Sequence, residues 1–245
     1  MSEKISSAER LLNIIKSVER RDAKLAIKDI WAKEFGFDPN DLESILNANA
    51  DIIHLVKEVK EDIRSLEDLN QDLYLAHINK IEEGLSKTHY FGQWSTFKQY
   101  IDEPTMIGLA FVADTLSNRI GEKVIPHEDL DELLKEVNTL LESVINADLP
   151  DSLRDLIVTG LEDIRRAILT YKLKGAKGLN EALEKSLGSL FANFSLVKDH
   201  IKKKPTKDFM GVLDKAHKMI VFALKAKELA APIYDLITGG TGTTS

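Results

Sequence analysis

Apolar side chains return every three or four residues along almost the whole chain. That interval matches the turn of an α-helix, whereas the alternation of a half-buried strand is nearly absent. Stripes of this kind are buried by packing helix on helix, so an all-α multi-helix bundle is expected.

Start and stop signals divide the chain. Ser6 and Glu9 form a capping box ahead of Leu11, Leu12, Ile14, Ile15 and Val18. Asp22 is read as the cap of a short helix running through Trp31 and ended by Gly36. Asp38 and Pro39 read as the start of a long helix carrying Ile45, Ile52, Val56, Val59 and Ile63, with an interruption expected at 47–49. Leu73, Ile78, Ile81 and Leu85 mark another helix. A short aromatic turn follows, and Asp102 and Pro104 open the next helix.

Residues 104–118 are apolar on nearly every side: Met106, Ile107, Leu109, Ala110, Phe111, Val112, Ala113 and Leu116. A helix without a polar face is normally buried. We therefore read 104–118 as the central helix of a bundle of about eight to ten helices. A single domain over 1–238 is expected, with a sub-boundary at 120–126. Beyond it, the stripes Leu130–Leu134–Val137–Leu141–Val144 and Leu153–Ile157–Ile164–Ala167 flank a turn at Pro150. They predict a long antiparallel hairpin over 127–174. Leu179, Leu183, Leu187 and Leu190 mark a further helix, and the last begins near Thr206, with a kink or end near Pro232. Residues 239–245 read as a flexible tail.

The chain has no cysteine, which excludes disulfides, thiolate metal sites and cysteine nucleophiles. The N-terminal segment is charged throughout and lacks the apolar core of a signal peptide. The longest apolar runs, 106–113 and 219–224, are far short of a membrane span. A cytoplasmic protein is expected. Net charge is −7, unevenly spread: residues 1–170 hold 20 Lys and Arg against 33 Asp and Glu, whereas 171–245 hold 13 against 7. Acidic charge overall argues against non-specific DNA coating. The basic final third either neutralises the acidic part within the fold or meets an anionic partner.

Motifs of catalysis are missing. The chain has no phosphate loop, dinucleotide fingerprint or Gly-x-Ser-x-Gly elbow. His127 and Glu128 resemble the start of a zinc-protease helix, but position 131 is Asp rather than the second His ligand. No cofactor is expected. Two Asp-x-x-His pairs, Asp51/His54 and Asp214/His217, put carboxylate and imidazole on one helix face; Asp214 and His217 are the weak metal candidates. Asp114 interrupts the apolar helix. A carboxylate buried there must be paired or hydrogen-bonded, which makes it a register anchor or a weak catalytic candidate in an inter-helix pocket.

Two surfaces remain. Tyr90, Trp94, Phe97 and Tyr100 concentrate aromatic groups of the kind enriched at protein interfaces, against the plainer reading of core packing. Lys198, Lys202, Lys203, Lys204 and Lys207 gather at a helix break and suit phosphate or nucleic acid. The leading expectation is a non-enzymatic helical interaction protein that acts through a protein partner or self-association. A subunit, adaptor or regulator of a bacterial multi-protein system, phage defence included, is compatible with it. Nucleic-acid or phosphate binding through the basic third is the first alternative, and an enzyme with a pocket around Asp114 the second.

Overall fold

The computed structural model describes residues 4–225 and 232–238. It is 77% helical, with 12 helices and one two-stranded sheet among the described residues, so the fold is all-α. The helices beyond the expected number are short ones that periodicity cannot register. The chain divides into two compact units, Met1–Glu122 and Lys123–Ser245.

In the first unit, β1 (Lys4–Ile5) leads into α1 (Ser7–Val18), α2 (Ile27–Phe35), α3 (Leu42–Arg64), α4 (Gln71–Lys87), the single turn α5 (Ser95–Lys98) and α6 (Glu103–Ile120). β1 pairs with β2 (Glu122–Lys123), in which this unit ends. Ser6 caps α1 by accepting from Glu9 N–H, as the capping box requires. α2 ends at Gly36, whose φ of 74° is the left-handed stop that only glycine adopts without strain. α3 starts later than expected. Asp41, not Asp38, accepts from Ser44 N–H, while Asp38 turns the chain by binding Asn40 N–H. No interruption occurs at 47–49; Ala48 is buried in a continuous helix.

α1 packs against α3 and α6, and α4 against α3 and α6. A buried polar tie in this packing is Arg10, which bonds Glu58 of α3 at 2.8 Å and Glu122 at 3.3 Å.

The apolar helix is less buried than its composition implies. α6 presents Leu109, Val112, Ala113 and Leu116 inward, yet Ile107 is 51% and Phe111 68% exposed. It serves the first unit, with one flank in solvent, rather than being a buried axis for the whole chain.

The second unit contains α7 (His127–Ile145), α8 (Asp151–Leu169), α9 (Tyr171–Ala192), α10 (Phe194–Asp199), α11 (Lys204–Leu224) and α12 (Ile233–Thr238). α7 and α8 pack as a hairpin about the 146–150 turn. The hairpin's second arm ends at Leu169, short of 174, because the helix breaks at Thr170 and the chain kinks again at Gly175 (φ 61°, ψ −159°). α9 packs on α8, and α11 on α7 and α9. A hydrophobic cluster running from Ile125 to Ile237 forms this unit's core, with Leu133, Ile157, Leu161, Leu179 and Phe209 fully buried. The expected tail 239–245 lies outside the described residues. Among those described, no helix is long and apolar enough to cross a membrane.

Candidate functional site

The aromatic segment packs two of its rings into the core. Trp94 N–H donates to Leu25 O and Ser95 N–H to Ala23 O, while Ile27 and Lys28 N–H donate back to Gly92 O and Tyr90 O. These bonds pin 90–95 onto 23–28 and turn Trp94 inward. Its ring meets Trp31 edge-on at 5.7 Å, and Phe97 lies 5.0 Å from Trp94. Both Trp94 and Phe97 are fully buried, so their side chains pack in the core of the first unit. Tyr90 and Tyr100 are half-buried. Burial pushes the Tyr90 phenol up to about 12. Tyr100 closes against Gly84, where an added methyl group would stand 2.7 Å from its Cβ. The exposed aromatic here is Phe91.

Asp114 is also displaced from its expected setting. It is exposed, and Asn118 Nδ2 donates to it at 3.2 Å. It is therefore not a buried anchor, and it lines none of the clefts described below. Arg119, its nearest basic neighbour in sequence, is engaged elsewhere: its Nη1 reaches both carboxylate oxygens of Asp68 at 2.6 Å.

What the sequence leaves unmarked is an apolar face on the first unit. Ile107 and Phe111, one helical turn apart on α6, are joined by Leu73 of α4, which is 60% exposed. Beside them, Leu73, Tyr74, His77, Gly108, Phe111 and Val112 line a depression of about 250 Å³. On the other flank, Ile101, Met106, Ile107 and Ala110 line one of about 530 Å³ with Glu19 and Arg20. Ile107 lines one hollow and Phe111 the other, one helical turn apart on α6. The signal was present in the sequence: Ile107 and Phe111 keep a four-residue spacing out of phase with Leu109, Val112 and Leu116.

The rim of this face is acidic. Asp72, Glu103 and Asp114 are exposed, and no cation pairs with them among the described residues. Lys98 and Arg20 stand beside Glu103 in the second hollow, but two other nearby cations are engaged. Lys80 bonds Asp102 at 2.6 Å, and that contact with the Thr105 hydroxyl holds the Asp102 carboxyl down at about 2. The Arg119 hydrogen bond likewise lowers Asp68.

In the second unit, all five candidate lysines are exposed. Lys203 pairs with Asp148 at 2.6 Å; Lys198 lies over the Phe194 ring and Lys207 over Tyr234. Among the described residues, Lys202 and Lys204 have no acidic partner. Much of the basic third does meet the acidic hairpin: Lys185 binds Asp163, and Lys215 binds Glu132 and Glu136. Burial is the largest single influence on Lys215 and pulls it down, but the bonds to Glu136 and Glu132 together raise it. A groove of about 800 Å³ between α7 and α11 exposes Lys135, Lys204 and Lys207 beside Glu132, Glu136 and Asp208. Its charges alternate, so it favours neither sign.

The metal candidates are otherwise occupied or dispersed. Asp214 Oδ1 accepts Ile233 N–H at 2.9 Å and so holds the start of α12. His54 is exposed, away from the buried face of α3. No group of three or more His, Asp or Glu stands in position to hold a metal ion among the described residues. No family model, no curated protein and no solved structure matches the chain, so the acidic-rimmed apolar face is characterised by its geometry and chemistry alone.

Proposed function

We propose that this chain is a non-enzymatic helical interaction protein that binds a protein partner through the α4/α6 face of its first unit. The observation that carries this reading is the joint exposure of Leu73, Ile107 and Phe111. Contiguous apolar patches rimmed by polar groups mark interaction sites. Burying one such side chain on association is worth roughly 1.5–3 kcal/mol, so three of them supply a useful part of a binding free energy.

The test is the double variant Ile107→Glu with Phe111→Glu. Both residues project into solvent, so the fold should survive, as circular dichroism and thermal melting would verify. Affinity capture and light scattering should show association with the wild type and none with the variant. A wild-type chain that is a monomer and captures nothing specific overturns the reading.

A second reading rests on Lys202 and Lys204, exposed between Lys198 and Lys207 with no acidic partner among the described residues. These lysines suit a phosphate-bearing ligand, whose binding would weaken steeply with salt. Fluorescence anisotropy with a labelled single-stranded RNA and a labelled DNA duplex at low salt tests it. Binding should fall on joint substitution of Lys202 and Lys204 by Ala, and absence of any binding removes the reading.

A further inference from the structure

We infer that the α4/α6 face receives an amphipathic helix of a partner protein whose apolar stripe is flanked by Lys and Arg. This rests on the reading of that face as the interaction surface and names the chemistry of its occupant.

The shape argues for a helix. Ile107 and Phe111 are spaced i, i+4, so they form a short ridge with a hollow on either side. Gly108 lets His77 of α4 come against the α6 backbone, which leaves Leu73 and Phe111 standing above the depression between the two helices. Apolar groups at three- and four-residue spacing on a facing helix would straddle such a ridge, the usual helix-in-groove geometry. Neither wall offers the free backbone edge that an extended peptide would need.

The charge argues for a basic flank. Asp72, Glu103 and Asp114 are exposed about the patch, while Lys80 and Arg119 are tied to Asp102 and Asp68; Lys98 and Arg20 line the second hollow beside Glu19 and Glu103, so the acidic surplus is greatest on the Asp72–Asp114 side. The whole segment 1–122 carries 15 Lys and Arg against 22 Asp and Glu. Nucleic acid and anionic lipid are repelled by such a surface. A second copy fares no better. Pairing two α6 helices antiparallel about the Ile107–Phe111 midpoint sets Asp114 near the partner's Glu103, and pairing them parallel sets Asp114 beside its own counterpart. Like charges meet in both arrangements, at a cost. A basic helix instead gains carboxylate neighbours on docking, Asp72 and Asp114 foremost.

The probe is a helical model peptide of about 14 residues with Leu at i, i+3, i+4 and i+7 and Lys elsewhere. Its counterpart carries Glu in place of Lys. Binding of each to the full chain is followed by fluorescence anisotropy. The Lys peptide should bind and the Glu peptide should not. The Ile107→Glu, Phe111→Glu double variant should weaken Lys-peptide binding at least about tenfold, the loss expected when two apolar anchors go. That variant adds negative charge, so a merely electrostatic contact would tighten instead. Phe111→Ala should weaken binding without any change of charge. The pair Glu103→Gln, Asp114→Asn should weaken it several-fold at low salt, and the difference should shrink at high salt.

Equal binding of the two peptides, no binding of the Lys peptide, or binding that survives the double variant overturns the basic-helix inference. A wild-type dimer that the double variant dissociates also overturns it, while leaving the face as an interaction surface. Loss of all association in the wild type removes both.

Discussion

The imidazole of His77 lies against the α6 backbone at Gly108, so close that a methyl group added to Gly108 would stand 2.2 Å from the ring carbons. The absent side chain is what allows α4 and α6 to approach here. Gly108→Ala should therefore destabilise the chain by about 1–3 kcal/mol, the usual range for an overpacked contact. Combining it with His77→Ala should recover part of the loss. Urea denaturation of the single and double variants would measure the coupling.

Trp94 and Phe111 should behave in opposite ways. Trp94→Ala opens a cavity in the Trp31–Trp94–Phe97 cluster and should cost about 3–5 kcal/mol. Phe111→Ala, on the exposed face, should stay within about 0.5 kcal/mol of wild type. Thermal melts of both variants decide whether the aromatic segment is core and the ridge is surface.

Arg10 offers a third test. Its guanidinium is 3% exposed and serves both Glu58 and Glu122. Arg10→Met leaves those carboxylates without their cation and should cost on the order of 3 kcal/mol. A smaller loss should follow from Glu58→Gln, since Glu122 still answers the charge. Denaturant midpoints at constant m-value give the comparison.

Acid should act through the α6 cap. The Asp102 carboxyl ordinarily titrates near 3.8 and is held at about 2 by Lys80 and Thr105. A depressed carboxylate stabilises fully above its unfolded pKa and loses that contribution as pH falls through the folded one. The stabilisation should thus be intact at neutral pH and fade between about pH 4 and pH 2. Asp102→Asn keeps a capping oxygen but removes the charge, so its melting temperature should vary less with pH across that window.

Gly175 should resist substitution. Its φ of 61° with ψ of −159° lies in a region that side chains other than hydrogen strain to enter. Gly175→Ala should destabilise by about 1–3 kcal/mol, whereas Gly188→Ala, in α9 with open space around its Cα, should be neutral or stabilising. Parallel melts of the two variants make the contrast.

The helical class was legible in the sequence because the 3–4 periodicity is local. So were the Ser6 and Asp102 caps, each confined to four residues. The α3 start was misplaced at Asp38 because Asp38, Asn40 and Asp41 all suit a cap, and which one binds depends on where the helix axis is fixed by packing. The inward turn of Trp94 was not legible, since it depends on bonds to Leu25 and Ala23, some seventy residues earlier in the chain. Composition also could not show that α6 leaves Ile107 and Phe111 uncovered. A helix apolar all round looks the same whether its own chain encloses it or leaves one flank for another molecule.

The buried cluster running from Ile125 to Ile237 draws its side chains from the second unit alone. Defects in that half are thus absorbed locally. A truncated Leu161 or Phe209 spends the reserve of its own neighbours, and compensating changes must arise among the same helices.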